Sequence, residues 1–129
     1  MPEVKRGLVA GAGAALLLAQ RIPRALALEM ILTGDPVDAR RAAEIGLVNQ
    51  VVDDGTALEA ALALAEKIAA NGPLALMASK EISNGGGDWT AAERWAENAK
   101  VVGRVFTSQD AREGARAFAE KRAPVWKGE

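Results

Sequence analysis

The 129-residue sequence contains no cysteine, no histidine and no tyrosine. Without cysteine, these residues cannot form a disulfide, a thiolate nucleophile or a cysteine-ligated metal site. Without histidine, imidazole cannot act as a base or as a metal ligand. Acid–base chemistry carried out by this chain must therefore use Asp, Glu or Lys. Serine–histidine hydrolases and zinc hydrolases are excluded on the same grounds.

Long hydrophobic runs and a strong net charge are also lacking. The first apolar run, from Leu8 to Ala19, is too short and too interrupted by glycine to span a membrane. No signal peptide is visible, so a cytoplasmic protein is expected. The formal net charge of −1 argues against a nucleic-acid-binding protein.

Aromatic residues are few, with three Trp and two Phe, whereas half of the chain is apolar and much of that is alanine. Alanine-rich sequence favours helices that pack closely. The length suits one domain, residues 1–129, with its own core.

Helix signals dominate the first half of the chain. A small-residue loop leads into a helix of about 14–20, and a second helix is predicted from Pro23 to Gly34. Asp38 can cap a third helix that ends at Gly46. The β-prone run that follows predicts one short strand, formed by Leu47, Val48, Val51 and Val52.

The second half is predicted to be entirely helical. Thr56 and Glu59 fit a capping box, and Pro73 begins the next helix. The longest helix is expected to run from Trp89 to about Phe106. Thr107 or Ser108 can cap the last helix, whose buried side is predicted to contain Ala111, Ala115, Phe118 and Ala119. The fold class is therefore mainly α with one short strand.

One loop could have a chemical role. The segment Gly11-Ala12-Gly13 precedes a helix and could bind an anion through free backbone N–H groups. It matches neither the P-loop nor the dinucleotide fingerprint, and close packing of the helix start against another backbone is the favoured explanation of these glycines. Glu3, taken alone, is an ordinary glutamate near a terminus.

Several motifs occur together that resemble one family. The segment LTGDPVDARRAAEIGLVNQVV, residues 32–52, resembles the crotonase or enoyl-CoA hydratase/isomerase superfamily. The likeness extends from PEVKRGLVAGAG at the start to DAREGARAFAEKRAPVWKG at the end. It implies the C-terminal helical portion of the α/β crotonase fold, without most of the sheet core. Residues 1–20 would supply an active-site loop and helix, residues 21–55 a helix–helix–strand unit, and residues 56–129 a trimerisation-type helical segment.

The resemblance implies hydration of 2-trans-enoyl-CoA thioesters. In such hydratases a Pro-Glu dipeptide precedes the glycine loop, and its glutamate is one of two that exchange protons with water and substrate. Glu3 matches that catalytic position, and Gly11 and Gly13 match the substrate-binding loop. The family's second glutamate and its oxyanion hole lie upstream of the matched region. We therefore expect this chain to be inactive alone.

Lys121 is a further substrate-binding candidate by resemblance. Residues 117–122, AFAEKR, match a motif whose basic residue approaches the CoA phosphates, although cations at a helix C-terminus also stabilise the helix dipole without any ligand. Two positions depart from the family pattern: Ala14 where hydratases have a second loop glycine, and Val102 where some relatives have an aromatic residue. No cofactor and no metal are expected, because acyl-CoA is the substrate.

Two classes of function follow. The chain is either a component of an enoyl-CoA hydratase of the fatty-acid oxidation type, with isomerase as an alternative within the family, or a non-catalytic oligomerisation module. Apolar surface left exposed on Leu16 to Leu18 and on the helix from Leu26 to Leu32 would require a partner. We expect a trimeric or hexameric homo-oligomer or a complementary N-terminal half, and neither a nucleic acid nor a membrane.

Overall fold

The computed structural model describes all residues, 1–129, and its regular structure is entirely helical. A 3₁₀ helix near the N-terminus is followed by seven α-helices. The 3₁₀ helix spans Pro2–Arg6; the α-helices are α1 Ala14–Arg21, α2 Arg24–Thr33, α3 Ala39–Glu44, α4 Ala57–Ala69, α5 Pro73–Gly85, α6 Arg94–Phe106 and α7 Gln109–Glu120. The chain divides into two compact units, Met1–Ala57 and Leu58–Glu129.

The strand predicted over residues 47–52 does not form, and that prediction is wrong. Instead, the N–H groups of Leu47 and Val48 donate to the carbonyl of Ala42, at 2.8 and 3.3 Å. These amides therefore extend the end of α3. A β-strand also needs a second strand to pair with its backbone groups, and none is present in this chain.

Most predicted helix boundaries are confirmed. Asp38 accepts a 2.7 Å hydrogen bond from the N–H of Arg41 at the start of α3. Of the two candidates for the α7 cap, Ser108 is the residue used, and its hydroxyl accepts from the N–H of Ala111 at 3.0 Å. Gly34 ends α2 in the left-handed conformation, and Pro73 opens α5. These signals were readable because each acts within a few residues.

The core of the first unit forms where α1 meets α2. Leu18, Ile22 and Ala27 are buried there, and Leu26, Met30 and Ile31 pack around them. Leu18 was predicted to be exposed, and this is wrong because it turns into this small core. Leu16 and Leu32 remain about two-thirds exposed, as predicted.

The second unit packs α5 against α6 and α6 against α7. The predicted start of α6 at Trp89 is wrong, because α6 begins at Arg94. Thr90 and Glu93 form the capping box that precedes it, since each backbone N–H donates to the other's side chain at 3.3 Å. The box predicted at Thr56 does not form; there the hydroxyl donates to the carbonyl of Asp53 at 2.8 Å.

The buried side of α7 also differs from the prediction. Ala117 is 2% exposed and Asp110 5%, whereas Phe118 is 88% exposed. Gly114 and Ala117 face inward together with Asp110, and this side of the helix packs against the C-terminal tail: the ring of Trp126 lies against Gly114, and the carboxylate of Asp110 binds the tail backbone. Lys127 and Gly128 donate their backbone N–H groups to it, at 2.8 and 3.0 Å.

Large apolar side chains remain exposed in both units. They include Leu8, Val9, Leu16, Leu32, Leu58, Leu62, Trp95, Phe106 and Phe118. Trp89 differs from Trp95, since it is half-buried and its ring lies against Gly85. None of the helices combines the length and the hydrophobicity needed to cross a membrane.

Candidate active site

Glu3 lies in the 3₁₀ helix Pro2–Arg6, which begins with proline and ends at Gly7. Gly7 adopts φ 70° and donates its N–H to the carbonyl of Val4 at 3.2 Å. The carbonyl of Glu3 itself accepts from the N–H of Leu8 at 3.0 Å. The main chain of Glu3 is thus held at its carbonyl, and its side chain is left free for another role.

The carboxylate of Glu3 has one oxygen that is buried without a hydrogen-bond partner. This atom is Oε2, and it is the only buried side-chain oxygen or nitrogen of the chain that lacks a partner. Buried polar groups are almost always hydrogen-bonded, and an exception calls for an explanation such as a catalytic role. The position matched to a catalytic glutamate therefore coincides with this exception.

The 3₁₀ helix rests on the end of α2. Gly34 is buried there with φ 64°, and a methyl group placed on it would lie 3.0 Å from Cγ2 of Val4 and 3.1 Å from the carbonyl oxygen of Met1. Next to this contact, Lys5 Nζ donates to Asp35 Oδ1 at 2.5 Å. The residues on either side of Glu3 are thereby fixed to α2.

The glycine loop leads directly into α1. Gly13 adopts φ 97° at the N-cap, a conformation that L side chains rarely adopt. Gly11 donates its N–H to the carbonyl of Val9 at 2.7 Å, and a methyl group on Gly11 would meet only Val9, at 3.8 Å. Gly13 is thus needed for its backbone conformation, whereas Gly11 is not required by crowding from this chain.

Lys121 ends α7 in the left-handed conformation, with φ 52°, and is the only residue other than glycine with positive φ. Its backbone N–H donates to the carbonyl of Phe118 at 3.2 Å, while its exposed side chain forms no salt bridge. The ammonium group is therefore available to an anion.

Arg122, next to Lys121, is instead fully engaged. Its guanidinium binds both oxygens of Glu113, at 2.6 and 2.9 Å, and Oε2 of Glu120 at 2.6 Å. Arg122, and then the N–H of Val125, lower the pKa of Glu113 from its ordinary value of 4.5 to about 2. The two carboxylates raise the pKa of Arg122 in return. Of the two basic residues in the AFAEKR motif, Arg122 serves the structure and Lys121 is left free.

A polar groove of about 540 Å³ lies beside this network, lined by Gln109, Asp110, Arg112, Glu113, Arg116, Arg122, Val125 and Lys127. Arg116 is paired with Glu120, whose pKa is lowered first by Arg116 and then by Arg122. Arg112 and the ammonium group of Lys127 form no salt bridge. The groove is therefore cationic on balance.

The predicted site residues are divided between the two units. Glu3, Gly11 and Gly13 belong to Met1–Ala57, and Lys121 belongs to Leu58–Glu129. No hydrogen bond joins the carboxylate of Glu3 to the glycine loop. Within this chain, the 3₁₀ helix that carries Glu3 packs against α2.

Sequence reasoning missed Gly34 and Asp35 as neighbours of Glu3. Both were interpreted only as the end of α2 and the turn after it. The signal that could have suggested more is the opposite charge of Lys5 and Asp35, but thirty positions separate them. Only the fold brings such residues together.

The family model described as "Enoyl-CoA hydratase/isomerase" matches residues 1–129. Among curated proteins, the chain is 40% identical over 132 residues to "Carnitinyl-CoA dehydratase" of Salmonella typhi, covering 99% of this chain and 51% of that protein. It is 43% identical over 122 residues to "Enoyl-CoA hydratase EchA19" of Mycobacterium tuberculosis, covering 95% of this chain and 46% of that protein.

Solved structures agree in fold. A crystal structure titled as an enoyl-CoA hydratase from Mycobacterium tuberculosis superposes with a TM-score of 0.93 at 57% identity, over 99% of this chain and 51% of the other. Another, from Mycobacterium marinum, gives a TM-score of 0.94 at 54% identity, over 100% of this chain and 51% of the other.

The chain belongs to the enoyl-CoA hydratase/isomerase family. It spans about half the length of the relatives that it matches. The resemblance to the C-terminal portion of a crotonase is thereby confirmed, as is the expected helical part of that fold.

Proposed function

We propose that this chain contributes one part of an enoyl-CoA hydratase active site, in which Glu3 is one of two catalytic carboxylates. The observation that carries the proposal is the buried, unpartnered Oε2 of Glu3. A carboxylate oxygen left without a partner is able to accept a hydrogen bond from a water molecule or to exchange a proton with a substrate. The family membership and the position of Glu3 after Pro2 support the same role.

The chemistry requires two proton-handling groups. Water adds across the double bond of a 2-trans-enoyl thioester, so that oxygen bonds to the β-carbon and a proton is delivered to the α-carbon on the same face. One carboxylate holds the water and takes its proton, and the other gives the proton to the α-carbon. Backbone N–H donors stabilise the enolate oxygen of the thioester, usually with the largest single effect on the rate.

This chain would supply only some of these groups. The second glutamate and the enolate-binding N–H groups would come from a segment corresponding to the half of the relatives that this chain does not span. In the proposal, the chain alone is therefore inactive. Gly11 and Gly13 would bind the acyl thioester, and the free ammonium of Lys121 would contact a CoA phosphate. Fatty-acid oxidation in the cytoplasm is the proposed setting.

A second candidate is a non-catalytic oligomerisation or interaction module. The helix α4, Ala57–Ala69, favours it, because large apolar side chains along it remain about half or more exposed: Leu58, Leu62, Leu64 and Ile68. Such surface normally marks an interface. The proposed partner is either a second copy, in a trimer or hexamer, or a complementary N-terminal half.

The test is to join this chain to the half that it lacks. The fusion partner is the part of the 57% identical Mycobacterium tuberculosis hydratase that this chain does not cover, and it is placed ahead of residue 1. Hydration of crotonyl-CoA is measured as the loss of the conjugated enoyl thioester. Glu3→Gln keeps the size of the side chain and removes its acid–base function, so the rate should fall about 10²- to 10⁴-fold.

The matched control is Glu29→Gln, at an exposed glutamate of the same unit whose carboxylate forms no hydrogen bond. Its rate should equal that of the unaltered fusion. Hydration that survives Glu3→Gln would overturn the role of Glu3. An inactive but well-folded fusion would favour the non-catalytic module, and conversion of a 3-enoyl-CoA without hydration would favour the isomerase alternative.

A further inference from the structure

The helix that carries Glu3 is too short to be stable by itself. A 3₁₀ helix has poorer hydrogen-bond geometry than an α-helix and occurs in short pieces. This one spans five residues and none of them is fully buried. Its position therefore depends on the surface against which it lies.

That surface is the end of α2, and Gly34 is the point of closest contact. A methyl group on Gly34 would lie 3.0 Å from Cγ2 of Val4, 3.1 Å from the carbonyl oxygen of Met1 and 3.4 Å from Cε of Lys5. Separations of 3.0 and 3.1 Å are too close for ordinary carbon contacts. A side chain at position 34 would therefore force the residues on both sides of Glu3 to move by a few tenths of an ångström.

The neighbouring ion pair adds a second attachment. Lys5 Nζ is 2.5 Å from Asp35 Oδ1, and both side chains are at least half exposed. Exposed ion pairs contribute little, because water and salt screen them. The steric fit at Gly34 is therefore the main constraint, and the ion pair is secondary.

We infer that Gly34, assisted by the pair Lys5–Asp35, positions the catalytic carboxylate of Glu3. The inference rests on the proposed function, since it assigns Gly34 a part in the same site. Gly34 touches no reacting atom; it is a positioning residue that acts through Met1, Val4 and Lys5. A misplacement of about 1 Å in such a site costs on the order of 10²-fold in rate.

The variant Gly34→Ala tests this directly, and Gly46→Ala is its matched control. Gly46 also has positive φ, 76°, in the same unit, but a methyl group there would meet nothing within 4 Å. Both variants carry the same kind of backbone strain, and only the first pushes the 3₁₀ helix away. Gly34→Asn adds a side chain that tolerates positive φ, and it therefore separates crowding from strain.

The first measurement is made on the 129-residue chain and needs no activity. Hydrogen exchange at the amide of Leu8, which donates to the carbonyl of Glu3, should be at least about tenfold faster in Gly34→Ala and Gly34→Asn than in Gly46→Ala. Equal exchange in all three variants would overturn the docking of the 3₁₀ helix on Gly34.

The second measurement uses the catalytically complete fusion. Gly34→Ala should lower kcat by about ten- to a hundredfold with KM little changed, whereas Gly46→Ala should leave both unchanged. In a Glu3→Gln background, Gly34→Ala should have no further effect on kcat, because both changes act on one group. If the losses in kcat caused by Glu3→Gln and Gly34→Ala were additive in the double variant, Gly34 would not act by positioning Glu3.

The two measurements keep the inference separate from the proposed function. If Glu3→Gln leaves hydration intact, the proposed function fails, although the Leu8 exchange still reports whether Gly34 holds the helix. If Glu3→Gln abolishes hydration and Gly34→Ala leaves both kcat and the Leu8 exchange unchanged, the proposed function stands and the positioning role of Gly34 is wrong.

Discussion

The indole N–H of Trp126 donates a 2.8 Å hydrogen bond to the main-chain carbonyl of Ala70. Its ring lies against Gly72, in the turn before α5, and against Gly114 of α7. These residues are widely separated in sequence, and Trp126 belongs to the irregular tail after α7. The tail therefore helps to hold the second unit together.

Glycine-to-alanine substitutions should separate the effect of Trp126 from that of helix propensity. Gly103 of α6 has nothing within 4 Å of a new methyl group, so Gly103→Ala should stabilise the chain by about 1 kcal/mol. At Gly114 the methyl group would lie 3.3 Å from Cη2 of Trp126, and this gain should be lost. Urea unfolding measures both.

The same measurement in a Trp126→Ala background supplies the control. With the ring removed, Gly114→Ala should recover a gain of about 1 kcal/mol. Equal gains at Gly103 and Gly114 in the unaltered chain would show that Trp126 does not pack on α7.

Asp110 should be the most sensitive carboxylate of the second unit. It is buried and accepts hydrogen bonds from the backbone N–H groups of Lys127 and Gly128. Asp110→Asn places an NH₂ donor against one of these donors, so the free energy of unfolding should fall by about 1–3 kcal/mol. Asp88→Asn, at an exposed carboxylate without a hydrogen bond, should change it by less than about 0.5 kcal/mol. Equal losses of unfolding free energy in Asp110→Asn and Asp88→Asn would contradict the contact between Asp110 and the C-terminal tail.

The capping box before α6 predicts a difference between two threonines. Thr90→Ala should lower the free energy of unfolding by about 1 kcal/mol, because it removes the partner of the Glu93 N–H at the start of α6. It should also raise the pKa of Glu93, which the side-chain hydrogen bond from Thr90 lowers. NMR titration of Glu93 measures this shift. Thr56→Ala should lower the free energy of unfolding by less than Thr90→Ala does. A larger loss in Thr56→Ala would instead indicate that the cap is at Thr56.

How far sequence predicts such features depends on how local they are. Asp38 and Ser108 were identifiable as caps because a side chain and an amide three residues apart suffice to define them. The same pattern fitted both Thr56 and Thr90, and only the latter forms the box. Local sequence offers the candidates, and the surrounding backbone selects between them.

Long-range features could not be predicted in this way. The strand expected at residues 47–52 required a pairing strand that this chain does not contain. The prediction of the buried side of α7 was wrong because that side packs against the distant C-terminal tail, through Asp110 and Gly114. For the candidate site, Glu3 was identified through family motifs, whereas its contact with Gly34 depends on the fold.

Lowering the pH should reduce the stability of the second unit, because it protonates Glu113. Arg122, and then the backbone N–H of Val125, lower the folded-state pKa of Glu113 from 4.5 to about 2. The stability that this carboxylate contributes is therefore fully present above about pH 4.5 and is lost as the pH falls through about 2. Glu113→Gln removes this contribution. The difference in unfolding free energy between the unaltered chain and the variant should therefore shrink as the pH is lowered across that window.

The matched control is Glu66→Gln, at an exposed carboxylate without a hydrogen bond. The difference in unfolding free energy between Glu66→Gln and the unaltered chain should stay constant over the same range of pH. A difference for Glu113→Gln that grows on acidification would reverse the sign of the linkage and contradict the ion pair with Arg122.

The central claim is that this chain carries one carboxylate of a hydratase site that a second segment completes. The most direct test compares crotonyl-CoA hydration by the purified 129-residue chain and by its fusion to the uncovered half of the Mycobacterium tuberculosis hydratase, with the mass of each species measured on the same fractions. We expect the 129-residue chain to be associated but inactive and the fusion to be active. Hydration by the chain alone would contradict it, because the 129 residues would then contain a complete site.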